Sequence, residues 1–274
     1  MGYYNRHIGV LAGGLDPDAT AFIIAAGITD ATQQSAINTL VKALKNPANG
    51  SLWTKCFAIY PFVGGTAASH KFNLKDPRDL DAAYRLVFGG SWTHSSTGAL
   101  PNGVNASADT RLNALSVLTL YNVSLSYYSR TQALQAGQID MGAVEAPSGT
   151  RLLSLILPRA SGSAFATHTG QTNATDMAVA SGQTLTTGFF INNRASSTPS
   201  SLRLIKNGVL LASATTNTGT YVMPNSNISI GQVSGLYTNK ETAFNHIGLS
   251  LTVAEETSLT NIVQAFQTTL SRQV

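Results

Sequence analysis

Apolar residues along this chain are spaced as in helices near both ends and as in strands between them. From Ala19 the pattern is helical: Phe22, Ile23 and Ile24 lead to Asp30-Ala31-Thr32-Gln33, where a short acceptor side chain three residues before Gln resembles a capping box. Ile37, Leu40, Val41 and Leu44 then recur at i, i+3, i+4 and i+7, one apolar stripe on a helix that Asn46-Pro47 and Gly50 end. This stripe is packing material for a hydrophobic surface elsewhere. At the other end, Thr252-Val253-Ala254-Glu255 has the capping-box form, and Leu259, Ile262, Val263, Phe266 and Leu270 follow at helical spacing. The chain is therefore expected to close with an amphipathic helix.

Between these helices β-branched and aromatic residues dominate, punctuated by Pro, Gly and Asn. The pattern predicts strands over 55–60, 84–88, 125–130, 138–143, 152–156, 184–191, 201–206, 209–214, 219–222 and 228–232. Asn207-Gly208 separates two apolar runs and tolerates positive φ at both central positions, so 201–206 and 209–214 form a hairpin. The segment from His94 to Asp109, rich in Ser, Gly and Asn, is expected to be the longest irregular loop. Many short strands with turn-rich connections imply a mainly β protein built as an antiparallel sandwich. The expected organisation is an N-terminal arm or attachment segment over 1–18, a helical segment over 19–50 packed on the sandwich, and the sandwich itself over 51–274.

Composition narrows the function classes. With 43% hydrophobic and 11% charged residues among 274, the chain is too apolar for disorder, and its polar surface must be mostly Ser, Thr, Asn and Gln. That surface suits extracellular fibres and sugar-binding faces. The net charge of +4 comes from 17 Lys and Arg scattered without a basic run, which argues against nucleic acid as a partner. No stretch approaches the length of apolar residues a membrane helix needs, and the N-terminus shows no secretion signal. Cys56 is the single cysteine, so no intrachain disulfide is expected, and its setting reads as a buried strand thiol.

The C-terminal half carries a recognisable order of motifs: Gly188-Phe189-Phe190-Ile191, the Asn207-Gly208 hairpin, Ile228-Ser229-Ile230-Gly231, then Phe244-Asn245-His246-Ile247-Gly248 before Leu251-Thr252-x-x-Glu255. This order resembles laminin G-like and concanavalin A-like jelly-roll domains. Upstream, Ala26-Gly27-Ile28-Thr29-Asp30, Trp53-Thr54-Lys55, Ala58-Ile59-Tyr60-Pro61-Phe62-Val63-Gly64-Gly65, His70-Lys71-Phe72-Asn73-Leu74-Lys75-Asp76-Pro77 and Trp92-Thr93-His94-Ser95 resemble segments of bacteriophage and prophage structural proteins. The resemblance implies a virion component, such as a head or tail fibre, collar or surface-decoration subunit, assembled in the host cytoplasm. It also implies other virion proteins as partners and a homo-oligomer, a trimer by analogy with fibres.

Catalytic signatures are missing from the sequence. Concanavalin A-like glucanases resemble one another in a Glu-x-Asp-x-x-Glu strand motif, and none occurs here; Glu255 and Glu256 sit in the first turn of the closing helix, where negative charge complements the helix dipole. Asp76, Asp79 and Asp81, beside Pro77 and Arg78, read as turn and helix-start residues. Gly-x-Ser-x-Gly is absent, and His7, His70, His94, His168 and His246 show no metal-ligand spacing, so each is expected to be structural. The expectation is a protein without enzymatic activity, metal or cofactor. A lectin-like role is the alternative, with Trp92, His94, Asn102, Asn105 and Asp109 as the carbohydrate-binding candidates, because an aromatic face stacks on a sugar ring while amides and a carboxylate fix its hydroxyls. Tyr127 and Tyr128 are secondary candidates, and a capsule depolymerase is the remaining reading.

Overall fold

The computed structural model describes residues 14–145, 151–168, 177–216 and 222–274. Helices α1 (Pro17–Ala25) and α2 (Ala31–Lys45) precede strand β1 (Cys56–Tyr60) and the single turn α3 (Ala67–His70). Strands β2 (Val87–Gly89), β3 (Trp92–Ser95), β4 (Gly98–Pro101) and β5 (Ser107–Asn113) follow, then the turn α4 (Ala114–Val117). After them come β6 (Val123–Ser129), β7 (Met141–Val144), β8 (Leu152–Ile156), β9 (Ala164–His168), β10 (Ala178–Ala180), β11 (Gly188–Arg194), β12 (Leu202–Lys206), β13 (Val209–Ser213) and β14 (Asn227–Ile230). A small ribbon of β15 (Gln232–Val233) and β16 (Leu236–Tyr237), strand β17 (Thr242–Gly248) and helix α5 (Val253–Thr269) complete the order.

The expected antiparallel sandwich with flanking helices is present. One sheet runs β13-β12-β11-β6-β17-β4-β3, with β1 also paired to β17, and the other runs β10-β9-β8-β7-β14-β5-β2. Alternation along the strands sends Leu125 and Tyr127 of β6, Phe190 of β11 and Ile247 of β17 inward, where they meet Met141, Leu153, Leu155, Ala166 and Ile230 of the facing sheet. The opposite face of the first sheet is apolar as well. Its Tyr128, Phe189, Ile191, Ile205 and Phe244 pack under Phe22 and Ile23 of α1, Ile37, Leu40, Val41 and Leu44 of α2, and Leu259, Ile262, Val263 and Phe266 of α5. The helical stripes read from the sequence thus find their surface, and strands such as β6 and β17 are buried on both faces.

The Asn207-Gly208 turn has φ of 48° and 79°, the geometry its sequence requires. Asn207 Oδ1 accepts from Phe189 N at 2.8 Å and from Gln264 Nε2 at 3.0 Å, tying the hairpin to β11 and α5. The Thr252–Glu255 capping box forms in both directions, whereas at Asp30 only half of one forms. Asp30 Oδ1 accepts from Gln33 N at 2.8 Å, but the Gln33 side chain turns away and accepts from Gly64 N.

Three expectations are corrected. The segment from His94 to Asp109 is not a long loop; it holds β4, the end of β3 and the start of β5, strands with few large apolar residues, which conceals them from a hydrophobicity reading. β9, β10 and β17 lie outside the strands the pattern predicts, and Tyr84, expected to open a strand, lies outside β2 at φ 58°. The predicted strand at 219–222 falls almost wholly outside the described residues, as does most of the arm over 1–18.

Two buried polar knots hold the loops. Asp140 and Lys240, both fully buried, pair at 3.3 Å; the carboxylate also accepts from Leu157 N and Thr238 Oγ1. Arg272, 1% exposed, places its guanidinium on the carbonyls of Pro61, Phe62, Ser96 and Ala243 and on Gln267 Oε1.

Candidate functional site

The binding candidates from the sequence do not share a cleft. β2 and β3 are edge strands of opposite sheets, joined by Gly90-Ser91, and Trp92 closes the gap between them. Its indole Nε1 donates to the carbonyls of Gly89 and Ser107 at 3.2 Å each, and its ring packs edge-on against Phe88, with centroids 5.4 Å apart. The aromatic face is therefore part of the core rather than a platform for sugar. His94 Nδ1 shares a hydrogen bond of 2.9 Å with His70 Nδ1. Burial above all, then the neighbouring His94 and Arg272, pushes the His70 pKa down to about 3. Asn102 shapes its loop: Oδ1 accepts from the backbone of Val104, Asn105 and Ala106, and Nδ2 donates to Asn105 Oδ1, which also accepts from Ser91 N. Tyr127 and Tyr128 are fully buried, with their hydroxyls on Lys240 O and on Gln264 and Val274, and neither offers a binding surface.

Asp109 is different. It lies on the outer face of the second sheet, the sandwich face that α1, α2 and α5 leave open. Along β5, Ala108, Thr110 and Leu112 are fully buried while Ser107, Asp109, Arg111 and Asn113 are half-exposed, a period-2 pattern that the sequence carries in plain form. The pairing with β14 is irregular here: Asn227 faces Asn113 but Ser229 faces Asp109, so four steps on β5 match two on β14. This bulge centres on Arg111, held at φ 58°, a left-handed conformation that costs a non-glycine residue about 1–2 kcal/mol. Asp109 and Thr110 brace it. Asp109 Oδ1 accepts from Arg111 N at 2.7 Å, and Thr110 Oγ1 donates to Ile228 O at 2.7 Å.

The bulge presents three planar polar groups together. Asn227 Nδ2 donates to both Asp109 oxygens at 3.1 and 3.2 Å, and Arg111 Nη1 lies 3.3 Å from Asp109 Oδ2. Arg111 Nε has no hydrogen-bond partner among the described residues and lies 3.7 Å from Asp81 Oδ2. Asp81 also binds Arg85, which reaches Asp79, and Asp79 binds Lys71, so a chain of alternating charges borders the site. Hydrogen bonds from Lys71 and Arg85 hold the Asp79 carboxyl below its ordinary pKa. Further across the same face the surface becomes apolar, with Val144, Leu152 and Phe165 packed around buried Ile156 and the Arg159 guanidinium 5.3 Å from the Phe165 ring centre. Sequence reasoning named Asp109 but missed Arg111 and Asn227. The alternation over 107–113 was the available signal for the strand; the bulge and the Asn227 contact are long-range and leave no local mark.

Ser124 Oγ and Ser126 Oγ lie 2.9 and 2.6 Å from the two ring nitrogens of His246, but all three residues are buried beneath the helical layer, out of reach of substrate. Among the described residues no group of three His, Cys, Asp or Glu is placed to hold a metal ion.

No protein-family model matches the chain, and no curated protein matches it. Among solved structures it is similar to the sialidase of Trypanosoma rangeli in complex with the inhibitor DANA, at 14% identity over 82% of this chain and 38% of that one, with a TM-score of 0.53. It is also similar to domain 4 of AbnA, a GH43 extracellular arabinanase from Geobacillus stearothermophilus solved with arabinotriose, at 15% identity over 75% of this chain and 98% of that one, with a TM-score of 0.48. The binding domain of botulinum neurotoxin serotype G is similar at 13% identity over 76% of this chain and 51% of that one, with a TM-score of 0.48. The chain thus spans 38% of the sialidase's length, and that likeness is one of fold.

Proposed function

We propose that this chain is a non-enzymatic recognition module that binds glycan on the open face of its second sheet. The observation that carries this reading is the Arg111 bulge, where a strained backbone sets a guanidinium beside a carboxylate and an amide on an uncovered face. Strain kept at an exposed polar cluster is a recurrent mark of a functional site. Sugar hydroxyls both donate and accept, and Asp109, Asn227 and Arg111, flanked by Ser107 and Ser229, supply both kinds of partner within one patch. Each carboxylate there is paired with Lys or Arg, an environment that suits hydrogen bonding to hydroxyls and not the raised-pKa acid that glycoside hydrolysis requires. A glycan array with the purified chain tests the binding. At least one glycan should bind, with about tenfold weaker binding after Asp109→Ala; no binding to any glycan overturns the reading. The same glycans incubated with the protein should yield no new reducing ends.

The setting we propose is the surface of a bacteriophage particle. Its support is the resemblance of the N-terminal segments to phage structural proteins and the charge-poor, amide-rich surface. Mass spectrometry of purified virions checks it, and a chain that never enters particles removes it.

A further inference from the structure

A second polar cleft lies away from the open face, on the helical side of the molecule, where three distant stretches meet. The start of α2 contributes Asp30, Thr32 and Gln33, the turn between β3 and β4 contributes Ser96, and the end of α5 contributes Thr269 and Ser271, around a volume of about 190 Å³. Its walls are fixed. Gln33 Oε1 accepts from Gly64 N at 2.8 Å, which commits that oxygen and leaves Nε2 as the amide's donor. Arg272, next to Ser271, donates to Ser96 O and to three other backbone carbonyls, which locks the α5 end to the β3–β4 turn. Ser271 follows the helix cap at φ 55°, a left-handed position that glycine adopts most easily.

Asp30 is the single ionisable side chain among the lining residues. Its Oδ1 caps α2 through Gln33 N, while Oδ2 has no hydrogen bond to a described residue. A carboxylate at the mouth disfavours anions, one carboxylate alone is a poor cation site, and a lining in which Leu270 is the one apolar residue disfavours apolar ligands. A carboxylate acceptor, an amide donor and several hydroxyls in a rigid cleft of this size match one uncharged sugar ring. We infer that this cleft binds a single neutral monosaccharide unit, with Asp30 accepting from its hydroxyls and Gln33 Nε2 donating to it. It is separate from the Arg111 face and stands or falls independently of it.

The test is a chemical-shift titration of the full chain with galactose, glucose, mannose and N-acetylglucosamine. At least one sugar should shift the amides of Thr32, Gln33, Ser96 and Ser271. Asp30→Asn keeps the helix cap, since Asn caps as well as Asp, and should weaken that sugar about tenfold or more through loss of a charged acceptor. Thr32→Trp, which fills the mouth, should abolish the shifts while the rest of the spectrum is preserved. Shifts confined to Asp109, Arg111 and Asn227 overturn the cleft and leave the open-face reading intact. No shift with any of the sugars, or shifts unchanged in Thr32→Trp, also overturns the cleft.

Discussion

At the scale of single residues, the side chains that matter are those held where physical chemistry does not favour them. Arg111 sits in a left-handed conformation that glycine adopts freely, and its ion pairs are partly exposed and worth little. Arg111→Gly should therefore raise stability by about 1 kcal/mol, read as a higher urea midpoint with an unchanged slope; a lower midpoint means that the bulge is not strained. Arg272 is the opposite case. Burial brings its pKa down to about 9, so it stays charged at neutral pH, and its guanidinium donates five hydrogen bonds, four to backbone carbonyls and one to Gln267 Oε1. Arg272→Lys should cost about 3 kcal/mol or more despite keeping the charge, because an ammonium has three donors and no planar fork. His246 and His70 are buried, and burial pushes each pKa from 6.5 to about 3. They fold neutral but charge readily once unfolded, so the stability they confer is complete above about pH 6.5 and is lost progressively as pH falls toward 3. Replacing His246 with Gln should flatten that part of the pH–stability curve; an identical acid limb in the variant contradicts the assignment.

At the scale of elements, α5 is the piece whose docking defines the closed face of the sandwich. Its start is fixed three times over: by the Thr252–Glu255 box, by Lys55 on Glu255 at 2.6 Å, and by Glu256, which is buried and binds Arg203 and Asn193. The helix-dipole role expected for these glutamates is thus joined by ion pairs that no local pattern shows. Thr252→Ala should cost about 1 kcal/mol, seen as a lower melting temperature, whereas Val253→Ala, at an exposed position, should have almost no effect. Equal losses in the two variants contradict the capping account.

At the scale of the whole molecule, the two sheets have unlike outer faces, one roofed by helices and one open, and it is this asymmetry that decides where recognition can occur. The helices and the Asn207-Gly208 hairpin were legible because their signals are local: a 3.6-residue stripe, a cap, a turn that needs positive φ. β3, β4 and β17 were hidden because very short strands and a strand buried on both faces give no simple alternation, as in Thr242-Ala243-Phe244-Asn245-His246, whose polar and apolar residues are all buried, while β5 alternates but has only Ala108 and Leu112 as apolar residues. Trp92 and Asn102 looked like ligand contacts because indole and amide groups serve cores and turns with the same chemistry. The Arg111 site was legible only in Asp109, since a bulge depends on the register of a partner strand more than a hundred residues away. A glycan titration of Arg111→Gly beside the wild-type chain tests the central claim most directly. The open-face account predicts that the variant folds at least as stably and loses the glycan; a variant that binds as tightly as wild type contradicts it.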